Sequence, residues 1–131
     1  MEKELPVHPI QLVEVTTKKI NAEKFDDEIK DEKIDVNFDP NVSYNKIDDN
    51  YFNINFKVSI STEPQKLFDI NVELTGKCKL VEEGDYDIEK FANGKGIALL
   101  WPYAREIVAN ITQRFGFPAL VLPTLRIGHK Q

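Results

Sequence analysis

A chain of 131 residues, 41% hydrophobic, suits one folded domain over residues 1–131. Its formal charge of -5 is unevenly spread: residues 1–93 hold 12 Lys/Arg against 21 Asp/Glu, and residues 94–131 hold five against one. An acidic body argues against nucleic-acid binding, which needs a basic surface. The single cysteine, Cys78, excludes an intrachain disulfide and a thiol-rich metal site. No run reaches 18 apolar residues, so no membrane span is expected. The opening MEKELPVHPI has no apolar stretch of signal-peptide length, which points to the cytoplasm.

Residues 10–20, IQLVEVTTKKI, are rich in β-branched types and predict a strand whose alternation slips around Val13, as at a bulge. Residues 21–32 are mostly charged and read as a surface loop or short helical turn, with Phe25 and Ile29 spaced to pin it to the body. Residues 33–38 alternate cleanly through Ile34, Val36 and Phe38. Pro40 breaks that run before Val42 and Tyr44, and IDDN at 47–50 reads as a turn.

YFNINFKVSI at 51–60 sets Phe52, Ile54, Phe56, Val58 and Ile60 on one face and polar residues on the other, as a half-buried antiparallel strand requires. After a turn at 61–65, LFDINVELTGKCKL repeats the pattern through Phe68, Ile70, Val72, Leu74, Cys78 and Leu80. Gly76 on the same face marks a bulge or a close contact. Four strands with short connections predict an antiparallel meander with one apolar face to cover.

Asn93, Gly94 and Gly96 read as a flexible approach to a helix starting near Ile97 or at Pro102. Its apolar stripe is Ile97, Leu100, Trp101, Ala104, Val108, Ile111 and Phe115, and Gly116 and Pro118 stop it. The tail FPALVLPTLRI at 117–127 is too apolar to be free and too proline-rich for a regular helix or a central strand. It must lie against its own sheet, a partner subunit or a groove. With one helix covering part of one sheet face, a homo-oligomer is expected. The fold class is α+β: a four-stranded antiparallel sheet packed with one long helix.

No catalytic constellation emerges, and no cofactor is implied. His8 and His129 stand at opposite ends of the chain, Cys78 reads as a buried small hydrophobe, and the acidic run 26–32 lacks calcium-loop spacing. NGKG at 93–96 is not a phosphate loop, and Arg105 and Glu106 have no nucleophile to join. The chain reads as a non-enzyme.

LLWPYAREIVANITQRFGFPALVLP, residues 99–123, resembles the signature region of the SecB family of protein-export chaperones. The likeness rests on Trp101, Pro102, Tyr103, Ala104, Arg105 and Glu106 opening the helix, then Phe117, Pro118, Leu120, Leu122 and Pro123. It extends more loosely over roughly residues 8–127. The resemblance implies a dimer or dimer of dimers with helices between sheets, and an ATP-independent holdase for unfolded or preprotein polypeptides. The alternatives are a dedicated chaperone of one partner, such as an antitoxin, and a structural interaction protein with no client.

The client-binding residues it implies are Trp101, Tyr103, Phe115, Phe117, Leu120, Leu122 and Leu125. Family export members also meet a translocation motor ATPase through acidic groups on the outer sheet surface. Glu23 keeps one such position, while Lys19 and Asn71 stand at two others, which weakens the case for that partner. Those members run on into a further C-terminal helix. The 131 residues hold no counterpart, so a more open groove is expected.

Overall fold

The two strands with the cleanest alternation form the centre of the sheet. The computed structural model describes residues 8–31 and 33–123. In it, β1 (Ile10–Lys24), β2 (Asp35–Lys46), β3 (Tyr51–Glu63) and β4 (Phe68–Leu80) form one antiparallel sheet in the order β1-β4-β3-β2. Phe52, Ile54, Phe56, Val58 and Ile60 of β3, with Ile70, Val72, Leu74 and Cys78 of β4, are fully buried on the inner face. At about 1.5–3 kcal/mol for each large apolar side chain, this double row is the main source of stability.

The expected four-strand meander is corrected to three. β2, β3 and β4 follow one another as hairpins, but β1 pairs with the far side of β4. The connection from β1 to β2 therefore crosses the end of the sheet from one edge to the other. Residues 21–24, read as the start of a charged loop, belong to β1, because their backbone pairs with Phe68–Asn71 of β4. Register shifts between Leu12 and Glu14 and between Thr17 and Lys19 account for the slipped alternation.

Pro40 does not end a strand. β2 continues through it, pairing Pro40 with Val58, because an edge strand can lose an N–H without breaking the ladder. Asp48 forms the following turn, its Oδ1 accepting from the N–H groups of Asn50 (2.8 Å) and Tyr51 (2.9 Å).

The long helix begins at Ile97, one of the two expected starts, but helical turns precede it where a flexible approach was expected. Asp87 caps α1 (Ile88–Phe91) by accepting from the Lys90 N–H at 3.0 Å. A π-helical turn (Ala92–Gly96) leads directly into α2 (Ile97–Arg114). Gly96, read as part of a break, is there for space. A Cβ on Gly96 would stand 2.6 Å from Ile54 Cδ1 and 3.2 Å from the Phe91 carbonyl. Gly76 of β4 meets α2 in the same way, 2.9 Å from Leu100 Cδ2. Pro102 lies inside α2, where it leaves the carbonyl of exposed Ala98 to solvent.

The chain reverses at Gly116, which adopts φ 94°. Gly116 N–H donates to Gln113 O (3.0 Å) and Phe117 N–H to Thr112 O (3.1 Å), the paired bonds of a Schellman ending.

Candidate functional site

The candidate residues gather where α2, the tail and one end of the sheet meet. Beyond Gly116 the tail turns back along α2. The Leu120 N–H donates to Thr112 Oγ1 at 2.8 Å, and further on the Trp101 indole Nε1 donates to the Pro123 carbonyl at 2.7 Å. Thr112 is fully buried, and its hydroxyl lies within bonding distance of Val108 O (3.0 Å) and Ala109 O (3.1 Å). One buried hydroxyl thus joins the helix to the returning tail.

Tail and helix divide the expected client-binding set into two kinds. Trp101 is 3% exposed and Leu122 1% exposed, so both belong to the protomer core. Trp101 packs against Phe38 and Phe56, with ring centroids 5.7 and 6.1 Å away. Phe115, Phe117 and Leu120 are half-buried, and Tyr103 is exposed. Leu125 lies outside the described residues.

Phe68 anchors the aromatic end, its ring 6.1 Å from Phe115 and 5.9 Å from Phe117. Lys24 Nζ stands 5.6 Å from the Phe117 ring centroid. Phe25 and Ile29, expected to pin their segment by burial, are instead 42% and 53% exposed at this end. Leu99 and Val121 add further exposed apolar surface on α2 and the tail. A second apolar groove runs between the start of β1 and the first helical turns, lined by His8, Ile10, Leu12, Phe91, Ala98 and Leu99.

The outer sheet face is different in kind. Apart from Tyr51, its paired positions carry Asn, Gln, Ser, Thr, Lys, Asp and Glu, with Asn55 Nδ2 donating to Asn45 Oδ1 (2.9 Å) and Ser59 Oγ to Asn71 Oδ1 (2.7 Å). Glu23, Lys19 and Asn71 all lie on this face, on its β1–β4 half. Glu23 is opposite Asp69, and Lys19 is opposite Glu73. Lys66 approaches Asp69 at 3.2 Å and Lys57 approaches Glu73 at 3.7 Å, so both carboxylates already have lysine neighbours.

Cys78 is buried among the inner-face residues, and burial pushes its thiol up to about 11. Arg105 has a buried Nε without a hydrogen-bond partner among the described residues. At the same end of the sheet the Gln65 side-chain amide donates to Asp26 Oδ2 and to the Glu28 carbonyl, both at 2.8 Å, and its Oε1 accepts from the Lys30 N–H at 2.8 Å. Sequence reasoning missed Gln65, for which the signal available was only a polar residue in a turn. Among the described residues no group of His, Cys, Asp and Glu is placed to hold a metal, and no helix is long and apolar enough to cross a membrane.

Comparison with known proteins places this arrangement. An uncharacterized protein of Methanocaldococcus jannaschii is 30% identical over 103 residues, covering 75% of this chain and 66% of its own. The protein-export protein SecB of Sphingopyxis alaskensis is 28% identical over 92 residues, covering 69% of this chain and 52% of its own. That of Rickettsia typhi is 28% identical over 98 residues, covering 73% and 64%. The chain thus spans between about half and two thirds of these relatives' lengths.

Among solved structures, a SecB-like chaperone of Mycobacterium tuberculosis, in complex with a ChAD peptide from the HigA1 antitoxin, superposes with a TM-score of 0.79 at 17% identity. The match covers 89% of this chain and 91% of that one, and it shows a shared fold. The family model described as preprotein translocase subunit SecB matches residues 2–127. With that match over nearly its whole length, the chain belongs to the SecB family.

Proposed function

We propose that the protein is an ATP-independent chaperone that holds non-native polypeptides on the apolar surface around Tyr103, Phe115, Phe117 and Leu120. The observation that carries the reading is the apolar surface left open on the helix and tail. Leu99, Tyr103 and Val121 are exposed there and Phe115, Phe117 and Leu120 are half-buried, whereas the paired outer-face positions other than Tyr51 carry polar side chains. Exposed apolar surface of this kind marks an interaction site, and burial of client side chains supplies affinity without nucleotide. Trp101 and Leu122 contribute as the buried floor beneath these groups, and Leu125 continues the same apolar tail.

The protein acts in the cytoplasm, without enzymatic activity, as a homo-oligomer that is a dimer or dimer of dimers. Ile20 and Tyr44, exposed on the two edge strands, are apolar surface that a second copy would cover. On the outer face only Glu23 offers the translocation motor ATPase an acidic contact among the three positions considered, so the clients need not pass to that motor.

A second reading is a chaperone dedicated to one partner. It is favoured by the antitoxin peptide bound to the structurally similar mycobacterial protein. Photocrosslinkers at Tyr103 and Leu120, with the mass of the assembly measured by light scattering, separate the readings. Many unfolded clients support the general chaperone, one dominant partner supports the dedicated one, and no crosslinked polypeptide contradicts both.

A further inference from the structure

NGKG at 93–96 is no phosphate loop, but its first two residues carry a chemistry of their own. Asn93–Gly94 is the chain's single Asn–Gly pair. In such a pair the peptide nitrogen of the glycine can attack the asparagine Cγ. A new N–Cγ bond forms, the bond from Cγ to the side-chain nitrogen breaks, and that nitrogen takes the peptide proton and leaves as ammonia. Water then opens the resulting succinimide at either carbonyl, giving aspartate or isoaspartate. The reaction needs no other co-reactant, and it turns a neutral carboxamide into a carboxylate. Glycine favours it, because no Cβ shields the attacking nitrogen and the backbone turns freely toward Cγ.

The fold holds this pair in an unreactive arrangement. Both residues lie in the π-helical turn Ala92–Gly96 between α1 and α2. Helical side chains lean back toward the preceding turn, whereas the Gly94 nitrogen follows Asn93 on the C-terminal side. Asn93 Nδ2 donates to the Glu89 carbonyl at 2.8 Å, which ties the leaving nitrogen to that preceding turn. The π-turn is anchored from the core side. Phe91 and Ala92 are buried, the Phe91 ring lies 6.1 Å from Phe52 and 5.5 Å from His8, and Gly96 presses against Ile54. Asn93 itself is exposed, so water reaches it and the restraint is geometric.

Both products weaken the turn. Aspartate cannot donate to the Glu89 carbonyl. Isoaspartate routes the backbone through the side-chain carbon, and the added atom breaks the helical hydrogen-bond register. Either one sets a negative charge on the wall of the groove that Asn93 shares with Tyr86, Phe91 and Lys95.

We propose that Asn93–Gly94 is a self-modification site kept closed by the π-helical turn, so that deamidation marks chains whose first helical turns have opened. The proposal stands apart from the chaperone reading.

The test incubates the full chain at neutral pH and counts aspartate and isoaspartate at position 93 by peptide mapping. The folded chain should react at least about tenfold more slowly than the same chain unfolded in guanidinium chloride. In the unfolded chain Gly94→Ala should slow the reaction about tenfold. Asp87→Ala removes the cap that accepts from the Lys90 N–H, and should speed the folded reaction about three- to tenfold while β3 amides stay protected from hydrogen exchange. Equal rates in the folded and unfolded wild-type chain overturn the protection. A folded Asp87→Ala chain whose turn amides exchange faster, with no faster loss of Asn93, overturns opening of the turn as the gate. Should that variant not fold, wild-type protein in a series of sub-denaturing guanidinium concentrations decides the same point. Deamidation should rise in step with hydrogen exchange of the amides at 92–96, and a rate that stays flat while those amides open overturns the gate.

Discussion

The indole Nε1 of Trp101 donates a 2.7 Å hydrogen bond to the carbonyl of Pro123, so the signature helix and the end of the described tail are joined by a single side chain. The ring itself is buried against Phe38 and Phe56. Two substitutions separate these contributions. Trp101→Phe keeps an aromatic ring and removes the donor, and should cost about 1 kcal/mol, because exposed Pro123 can return its carbonyl to water. Trp101→Ala also empties the space and should cost about 3–5 kcal/mol. Urea unfolding of both variants checks the difference. Equal losses would show that the ring contributes nothing beyond its hydrogen bond.

Thr112 makes the second attachment. Thr112→Val preserves shape but removes the oxygen that accepts from the Leu120 N–H, and should destabilise the protein by about 1–3 kcal/mol. The loss should be local. Amides of the tail at 117–122 should exchange faster than those of β3, which a hydrogen-exchange map resolves.

Asp26 gives the crossing segment a pH dependence. The Gln65 side-chain bond is the main cause holding its carboxyl below the ordinary 3.8, and the Glu28 N–H and the charge of Lys30 also contribute. A group whose folded value is depressed stabilises above its unfolded value and loses that contribution as pH falls through the folded value. The segment should therefore be held above pH 3.8 and loosen progressively below it. Asp26→Asn, which cannot titrate, should abolish that acid step in the chemical shifts of the Lys30 and Asp31 amides. An unchanged step would assign it to another carboxylate.

Cys78 should be chemically silent in the folded protein. With its thiol raised to about 11 from 9.0 by burial, its thiolate fraction at pH 8 is on the order of 100-fold below that of the unperturbed group. Alkylation by iodoacetamide should be undetectable in the native state and become complete on unfolding. Ready alkylation of folded protein would contradict the packing of β4.

Much of this fold was legible in the sequence because period-two alternation reports which face a strand buries. Phe52 to Ile60 and Phe68 to Cys78 fall on the inner face for that reason. Strand order was not legible, because alternation says nothing about which neighbour a strand takes, and β1 went to β4 rather than β2. The helical turns before Ile97 were hidden for a related reason. Gly94 and Gly96 lower helix propensity locally, yet the crossing over Ile54 leaves no room for a Cβ at Gly96, so tertiary contact overrides propensity.

At the site, the sequence order of residues 101–123 identified the region. It could not divide that region into core and surface, because burial of Trp101 and Leu122 depends on how the tail returns along α2. The Gln65 contacts span 34 to 39 residues in sequence and leave no local pattern to read.

The central claim is that this surface holds non-native chains without nucleotide. Light scattering of an aggregating unfolded client, with the protein at equimolar protomer ratio and no ATP, tests it most directly. The account predicts that the wild-type protein suppresses scattering and that Tyr103→Ser with Phe117→Ser weakens the effect while the sheet remains folded. Failure of the wild-type protein to suppress aggregation of any unfolded client at that ratio would contradict it.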